Sequence, residues 1–460
     1  MRKALKAVTL MGLAAALIAP AATVKAADME MGSTKVTIGG QLRERLEWWG
    51  QEVGTGKGAE LGATYRARLN IKAELSDGVT AVFTPQAVGY WGENGQGLGL
   101  GEKISADTKS GTTNTVNMHE AYMLLSNPFG IDNVIVKLGR QEVNLGNQRL
   151  VGAVGWSQAG RSLDGILVGY VAGDYGLAGF FYGKLNDEAK GTGPWLKQGS
   201  TDTDIDLYVA TWQGKFKPFG IGGTYEITDI YVNPTTNALG VDANINTLYG
   251  RVTPAFDTDF AKIKLNLEAA TQSGNAGNVD FSGYFFSVGA GADFDQVAWT
   301  PGVFIGYDYY SGDKDNKGDI DTFWSVLPTA HKWLGHADVI WTSNFYKFNT
   351  AIGQRSPGVE DLYLKLHAKP LDKLAVGLDL HYFQAAEDYD VATGGVKTAT
   401  TKKTTDDIGW ESDLELKYKY SKNLCLSLGW DHFDPDSDAK AVFGGDDAED
   451  HIWAQADLKF

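Results

Sequence analysis

Residues 451–460, the last ten of the chain, read HIWAQADLKF, and this stretch decides the fold. Alternate side chains are apolar, beginning at Ile452 and ending at Phe460. The side chains between them are mostly polar, and Asp457 and Lys459 are charged. Because successive side chains of a β-strand point to opposite faces, the alternation predicts a strand with one apolar and one polar face.

The same two-residue period recurs in runs of about ten residues. It is clear over residues 65–75 and 413–420, and again over 423–430 after the short turn SKN. After residue 26, no segment offers the roughly 20 consecutive apolar residues that a transmembrane helix needs. Two architectures fit such strands: a soluble sandwich with an apolar core, or a membrane barrel with an apolar outer face and a polar lumen.

Several features favour the barrel. The 460-residue chain holds 57 glycines and 12% aromatic residues, and short turns such as KPLDKL alternate with long polar loops such as residues 391–409 and 434–450. The terminal Phe460 resembles the signal that the outer-membrane assembly machinery recognises. We therefore predict an all-β fold, a transmembrane antiparallel β-barrel. At roughly 24 residues for each strand with its connection, about 18 strands are expected, with 16 as the even-numbered alternative.

The N-terminus predicts export. A basic start is followed by an apolar core at residues 8–18 and by small residues, with Val24 and Ala26 suiting a signal-peptidase site. We predict a signal peptide over residues 1–26 and a single barrel with extracellular loops over 27–460. The expected location is the outer membrane of a Gram-negative cell. The expected partners there are membrane lipid, lipopolysaccharide and the assembly machinery, with the chain acting as a monomer.

Charge and cysteine content exclude other classes. Removing residues 1–26 leaves 37 Lys and Arg against 57 Asp and Glu, a net charge of −20, which argues against nucleic acid as a partner. Cys425 is the single cysteine, so no internal disulfide can form.

Residues 139–165 read GRQEVNLGNQRLVGAVGWSQAGRSLDG and interrupt the alternation. The stretch is too polar for a lipid-facing strand, and irregular backbone at membrane depth is tolerated only beside water or inside protein. We predict that it lines the pore or folds into it, and that Arg140, Arg149 and Arg161 face the passing solute.

Two blocks resemble the alginate export family of outer-membrane porins. The first is GRQEVNLGNQRLVG followed by WSQAGRSLDG, and the second is DTFWSVLPTAHKWLGHADV at residues 321–339. The second carries the family's Pro-Thr-x-His pattern at Pro328, Thr329 and His331. The resemblance implies a barrel of about 18 strands with an electropositive constriction through which an anionic polysaccharide can pass.

Four more arginines fall on the polar face of the first two long strands: Arg43, Arg45, Arg66 and Arg68. We expect them to face the lumen and contribute to an Arg-lined pore. The alternative is that they pair with carboxylates such as Glu47 or Glu74 and only fill the wall.

Neither a metal nor a cofactor is expected. His331, with His336 and Asp338 nearby, has a structural hydrogen-bonding role in this interpretation. The acidic run at residues 313–321 begins like a calcium loop, but Lys317 and Trp324 occupy positions that need oxygen ligands. No hydrolase motif is present, and an enzyme is not expected.

The predicted function is a channel that passes anionic carbohydrate, either an alginate-like polysaccharide or smaller anionic solutes, by passive diffusion. The alternatives are a general diffusion porin without strong selectivity, and a surface enzyme or adhesin anchored by the barrel.

Overall fold

The computed structural model describes most of residues 27–460. The residues outside the description are 1–26, 32–33, 51–59, 92–115, 187–204, 217–220, 235–242, 316, 342–343, 346–354, 394–395, 399, 441 and 443–447. The predicted signal peptide therefore lies outside the described residues. None of the helices in the described part of the chain is long and apolar enough to cross a membrane.

The described residues form 22 strands and four single-turn 3-10 helices. In chain order the strands are β1 Ala27–Met31, β2 Thr34–Trp49, β3 Glu60–Glu74, β4 Val79–Tyr90, β5 Val116–Ser126, β6 Val134–Gln141, β7 Leu163–Val171, β8 Leu177–Asn186, β9 Ile205–Phe216, β10 Gly222–Pro234, β11 Ala243–Asp257, β12 Lys262–Ala276, β13 Val279–Phe281, β14 Tyr284–Asp293, β15 Gly302–Tyr310, β16 Ile340–Trp341, β17 Asn344–Phe345, β18 Val359–Leu371, β19 Leu374–Asp390, β20 Thr404–Lys419, β21 Leu424–Pro435 and β22 Glu449–Lys459. The 3-10 helices are Ser76–Gly78, Pro128–Gly130, Gly173–Tyr175 and Ala330–Lys332.

Twenty of these strands form one antiparallel sheet that closes on itself. The closing pair joins β2 to β22, from Gln41 opposite Lys459 to Trp49 opposite His451. The short strands β1 and β13 pair only with parts of β2 and β12, so 18 strands make the wall. The predicted antiparallel barrel is confirmed, with 18 strands rather than 16.

The strands separate an outer apolar face from an inner polar face. On β2 and β3, Leu42 and Leu69 are about two-fifths exposed on the outside, whereas Arg45 and Arg66 are buried inside. Tyr182, Tyr208 and Tyr231 form an outward row on β8 to β10, with ring centroids 5.2 and 6.1 Å apart. Such aromatic girdles mark the two interfaces of a membrane barrel.

Phe460 completes the closing seam. Its backbone N–H donates to the Gly40 carbonyl at 3.0 Å, and the Gly40 N–H donates to the Phe460 carbonyl at 2.8 Å. A Cβ on Gly40 would lie 2.6 Å from the Phe460 ring, so glycine lets the ring cover this point of β2. The role of Phe460 as an assembly signal stays a prediction.

Two connections fold into the barrel. The loop at residues 142–162 and the loop at 311–339 meet inside, where Val151 pairs with Leu327. Their apolar side chains join a core with inward residues of β9 to β11, among them Leu207, Val209, Ile230, Val232 and Ile245. Those inner positions are apolar because protein, not water, fills that side of the lumen. The first loop therefore folds into the pore, as predicted.

Candidate functional site

The four arginines of β2 and β3 hold the inward loop by its backbone. Each donates to a carbonyl between residues 155 and 159, and fixes that carbonyl against the wall. The pairs are Arg43 with Gly155 (2.9 Å), Arg45 with Trp156 (2.6 Å), Arg66 with Ser157 (3.0 Å) and Arg68 with Ala159 (3.1 Å).

These contacts leave the arginines little solvent access. Arg45 and Arg66 are 3% and 2% exposed, and the Arg45 guanidinium also stacks 3.6 Å over the Trp156 ring. The alternative of wall pairing is partly realised, since Arg45 lies 3.5 Å from Glu47, whereas Glu74 pairs with Lys72. Their main contact is with the loop, so they fix the position of residues 155–159 against the wall.

Arg149 is enclosed completely. Its Nε lies 3.0 Å from Glu268 and its Nη1 lies 2.7 Å from Asp308, while the Trp333 ring covers it at 3.9 Å. Burial alone would lower the pKa of Arg149, but Asp308 and Glu268 raise it above its ordinary value. Arg149 is a permanent cation whose charge is neutralised by neighbouring carboxylates. It therefore presents no free charge to a solute.

Arg161 joins the two inward loops. Its Nη1 donates to the carbonyls of Gly152 at 3.1 Å and Leu327 at 2.6 Å. One guanidinium therefore fixes both loops relative to each other.

Arg140 corrects the sequence analysis. It lies opposite Asp164 and forms a 2.7 Å ion pair with it, and the two side chains are 43% and 56% exposed. Both follow the outward parity of Leu138 and Ile166, so they lie on the outer face. The assignment of Arg140 to the pore lining is wrong, because strand alternation continues through Arg140 instead of ending at Gly139.

Glu142 anchors the start of the first loop. Its Oε1 lies 2.7 Å from His119 Nε2 and 3.2 Å from Arg68. Burial alone would raise the pKa of the Glu142 carboxyl, but the hydrogen bond with His119 and the charge of Arg68 lower it overall. Glu142 therefore stays an anion that neutralises part of the arginine row.

The second loop carries two histidines into the lumen. His331 bonds Asp338 at 2.9 Å and stacks on Trp156 at 4.0 Å, a structural role that agrees with the sequence interpretation. His336 stacks on His331 at 5.1 Å and lies beside Asp413 of β20. Burial lowers the pKa of His336 to about 4 although Asp413 acts the other way, so its imidazole is neutral.

Below the inward loops, on the side of the short turns, lies an open cavity of about 640 Å³. Six basic side chains and two acidic ones line it. They are Arg149, Lys215, Arg251, Lys262, Lys264 and Lys365, against Asp257 and Glu268. Lys264 pairs with Asp293 at 2.7 Å, whereas Lys215 and Lys262 have no ion pair with another residue that the structure describes. Arg149 and Arg251 both pair with Glu268, and Lys365 pairs with Asp379. The basic side chains of the lining that no described carboxylate pairs with are therefore Lys215 and Lys262.

A second basic cavity of about 470 Å³ lies at the mouth formed by the short turns. Its charged lining consists of Lys369, Lys373, Lys417, Lys419, Lys422 and Lys459 with Asp372 and Asp457. Short turns of outer-membrane barrels face the periplasm. Each of the two cavities on the periplasmic side of the loops is therefore lined by more basic than acidic side chains.

Sequence reasoning missed these lysines, although a signal for them was present. Lys262, Lys264 and Glu268 share one parity on β12, the parity that faces inward. The same alternation that separated Arg66 and Arg68 from their apolar neighbours would have placed them in the lumen.

Comparisons with known proteins agree with this architecture. A family model described as alginate export matches residues 35–440. No curated protein matches the sequence.

Solved structures of similar shape are bacterial barrels. Pseudomonas aeruginosa OccK9 (OpdG) aligns with a TM-score of 0.61 at 11% identity, over 92% of this chain and 98% of that one. P. aeruginosa OccK2 (OpdF), solved in complex with glucuronate, aligns with a TM-score of 0.57 at 11% identity over the same shares. The P. aeruginosa outer membrane protein opdK has a TM-score of 0.57 at 10% identity, also over 92% and 98%. These likenesses show the fold.

Proposed function

Because the chain belongs to the alginate export family and forms an outer-membrane porin channel of the Gram-negative type, we propose that it conducts anionic carbohydrate by passive diffusion. Its outer face contacts membrane lipid and lipopolysaccharide. The family is one of channels rather than enzymes. The observation that carries the proposal is the cavity on the periplasmic side, where Lys215 and Lys262 line open space and form no ion pair with another described residue.

The size of the effect can be judged from Coulomb's law. At an effective dielectric constant near 20, a unit pair at about 4 Å is worth about 4 kcal/mol before desolvation. A quarter of that, about 1 kcal/mol, raises local anion occupancy about fivefold. The acidic residues of the extracellular loops act on the lumen less, because salt screens exposed charges beyond about 8 Å.

Lysine side chains are better suited to weak, reversible contact with a passing anion than to tight binding of it. Its ammonium is a hydrated point charge on a flexible stem, and Lys215, Lys262 and Lys264 are spread over β9 and β12. Conduction needs several weak sites that a solute can enter and leave. A row of lysines along the wall provides such sites for successive carboxylates.

The charge of the cavity and one structural neighbour support the chemical class of the solute. A uronate unit carries one carboxylate, and OccK2 was solved with glucuronate. The proposed solutes are therefore uronate chains of the alginate type or smaller uronates and related anions. The inward arginine clamps narrow the path and make it selective for extended or small molecules.

The test is ion selectivity in planar bilayers under a tenfold KCl gradient. The wild-type channel should give a reversal potential on the anion side, and Lys215→Glu with Lys262→Glu should move it towards zero. Lys403→Glu is the matched control, because Lys403 pairs with Asp438 in an exposed loop. A wild-type channel without anion preference would reject the proposal and leave a general diffusion porin.

Solute class is tested separately in liposomes. Sodium glucuronate should enter faster than neutral glucose of similar size, and the double lysine variant should lose this difference. Equal rates in the wild-type protein would contradict uronate selectivity even if chloride were preferred.

A further inference from the structure

A cluster of histidine and carboxylate side chains lies where the second inward loop meets β20 and β21. His336 from the loop, Asp413 from β20 and Asp431 from β21 each direct one potential ligand atom into it, and these atoms lie within 4.8 Å of one another. Asp413 and Asp431 are 2% and 1% exposed. The cluster plays no part in the proposed anion path.

Buried polar atoms around the cluster lack hydrogen-bond partners. Asp413 Oδ1 and Glu411 Oε2 are enclosed, and no described N–H group donates to either; their one available hydrogen bond is a proton shared between the two carboxyl groups. His381 is 2% exposed, and its Nε2 faces Asp413 at 3.9 Å without a hydrogen bond. A buried carboxylate without a partner is strongly unfavourable unless a proton or a cation neutralises it. The geometry therefore leaves a place for a positive charge.

The carboxylates are already oriented by a surrounding shell. His451 Nδ1 and Trp453 Nε1 lie 2.9 and 3.1 Å from Asp431 Oδ2. The His336 backbone N–H donates to Asp413 Oδ2 at 3.2 Å. Gly335, at φ 83°, lets the Glu411 carboxylate approach closely, since a Cβ there would lie 2.2 Å from its oxygen. Outer hydrogen bonds of this kind position metal ligands in proteins.

We propose that His336, Asp413 and Asp431 bind one divalent transition-metal ion of the Zn²⁺ type. One imidazole nitrogen and two carboxylate oxygens form a mixed set that suits zinc, with bonds of about 2.0 to 2.2 Å and a fourth position for water. Calcium and magnesium prefer oxygen ligands alone. Small side-chain rotations inward would bring the three ligands into range.

Such an ion would strengthen the attachment of the second inward loop to the barrel wall. His336 stands 77 residues before Asp413 in the chain, and the ion would add a side-chain link to the backbone hydrogen bond that already joins them. The sequence interpretation, which expected no metal, considered His331, His336 and Asp338 as neighbours in sequence. The wall carboxylates come from strands that sequence spacing does not reveal.

The test is zinc binding by the full mature protein in detergent, without a histidine tag and after removal of metals. Equilibrium dialysis against ZnCl₂ should give one zinc per chain. His336→Ala and Asp413→Asn should each weaken binding at least tenfold. His432→Ala is the matched control, because His432 pairs with Asp450 at 2.9 Å and alternates with the inward Asp431. It should bind zinc like the wild type.

A second measurement uses Co²⁺ in place of zinc. The visible absorption of histidine- and carboxylate-bound cobalt should appear in the wild type and in His432→Ala and be lost in His336→Ala. Failure of the wild type to bind one equivalent of either ion would overturn the proposal, whatever the variants do. Unchanged binding by a folded His336→Ala protein would overturn it as well, and a shared proton would then neutralise the cluster.

Discussion

The inner surface has two basic regions that use their charge differently. In the arginine row at β2 and β3, the guanidinium groups donate to loop carbonyls and are almost fully buried. In the periplasmic cavity, Lys215 and Lys262 face open space, and no ion pair joins them to another described residue. The first region holds the inward loop in place, and the second presents its charge to the open cavity.

The difference follows from the two side chains. Arginine offers five donors in a planar fork and stays charged when buried, so it can bond several backbone carbonyls at once. Lysine keeps its hydration and moves on a flexible stem. Counting cations therefore does not locate the selective part of a pore. The deciding property is whether the N–H groups of a basic side chain already donate hydrogen bonds to acceptors in the protein.

Arg149 should show the largest effect, because its charge is fully neutralised inside the protein. Arg149→Met would leave Asp308 buried without a cation and Glu268 with only the 3.5 Å ion pair to Arg251, and should cost about 3–5 kcal/mol. The measurement is the temperature at which the folded band is lost on unboiled gels, together with the amount in the outer membrane.

A second substitution identifies the cause. Arg149→Met combined with Asp308→Asn should recover part of the lost stability, because one uncompensated carboxylate is removed. If Arg149→Met alone had wild-type stability and reduced anion preference, Arg149 would belong to the conducting region instead.

Arg66 should show an intermediate effect on the constriction. Arg66→Lys keeps the charge but cannot bond both Ser157 and Gln41, now 3.0 and 2.9 Å away. The lost hydrogen bonds should cost about 1–3 kcal/mol and loosen residues 155–159. Single-channel recordings should show higher and noisier conductance with unchanged anion preference.

Arg140→Lys is the control for that experiment. Arg140 lies on the outer face and pairs with Asp164, away from the loop. Its conservative replacement should leave conductance steady. Equal noise in both variants would show that Arg66 does not hold the constriction.

Salt concentration should affect the two regions differently, and this effect should be smaller than those of the substitutions above. Raising KCl from about 0.1 M to about 1 M shortens the screening length from about 10 Å to about 3 Å. Anion preference should fall, because the cavity lysines are open to solvent. The unfolding temperature should change little, because the arginine clamps are buried. A large loss of stability with constant selectivity would reverse the assignment of the two regions.

Much of the fold was predictable from local pattern. Alternation in β3, β20 and β22 identified strands and their polarity, and the interruption identified the inward loop, although it was placed from Gly139 whereas β6 continues to Gln141. Strand number followed from chain length, since closed barrels repeat one unit. These features depend on neighbours in sequence, which a sequence displays directly.

The partners of each charged group were not predictable. Arg45 meets Trp156 across 111 residues, and Arg149 meets Asp308 across 159. Only the closed wall and the inward loops bring these groups together. The sequence shows that a basic side chain is present and on which face of the strand it lies. It does not show whether that side chain already bonds to a carbonyl or pairs with a carboxylate of the protein.

Substitution of Arg140 should have the smallest effect. It tests most directly whether the Arg140 side chain lies on the outer face of the barrel or in the lumen. Arg140 lies on the outer face, level with Lys184 and one step beyond Tyr182 in the strand register. That position is next to the aromatic row, where lipid meets water. Its pair with Asp164 is exposed, and exposed pairs contribute about 0.2–1 kcal/mol.

Arg140→Ala should therefore fold, insert and conduct like the wild type. Its reversal potential in a KCl gradient should be unchanged, and its unfolding temperature should fall by no more than a few degrees, since the lost ion pair is worth about 1 kcal/mol at most. Asp164→Ala is the matched variant and should behave alike, because it removes the other half of the same pair. A clear loss of anion preference in Arg140→Ala, but not in Asp164→Ala, would mean that Arg140 reaches the lumen. The strand would then have to turn over at Gly139, whose φ of 123° is the single irregular backbone angle in β6.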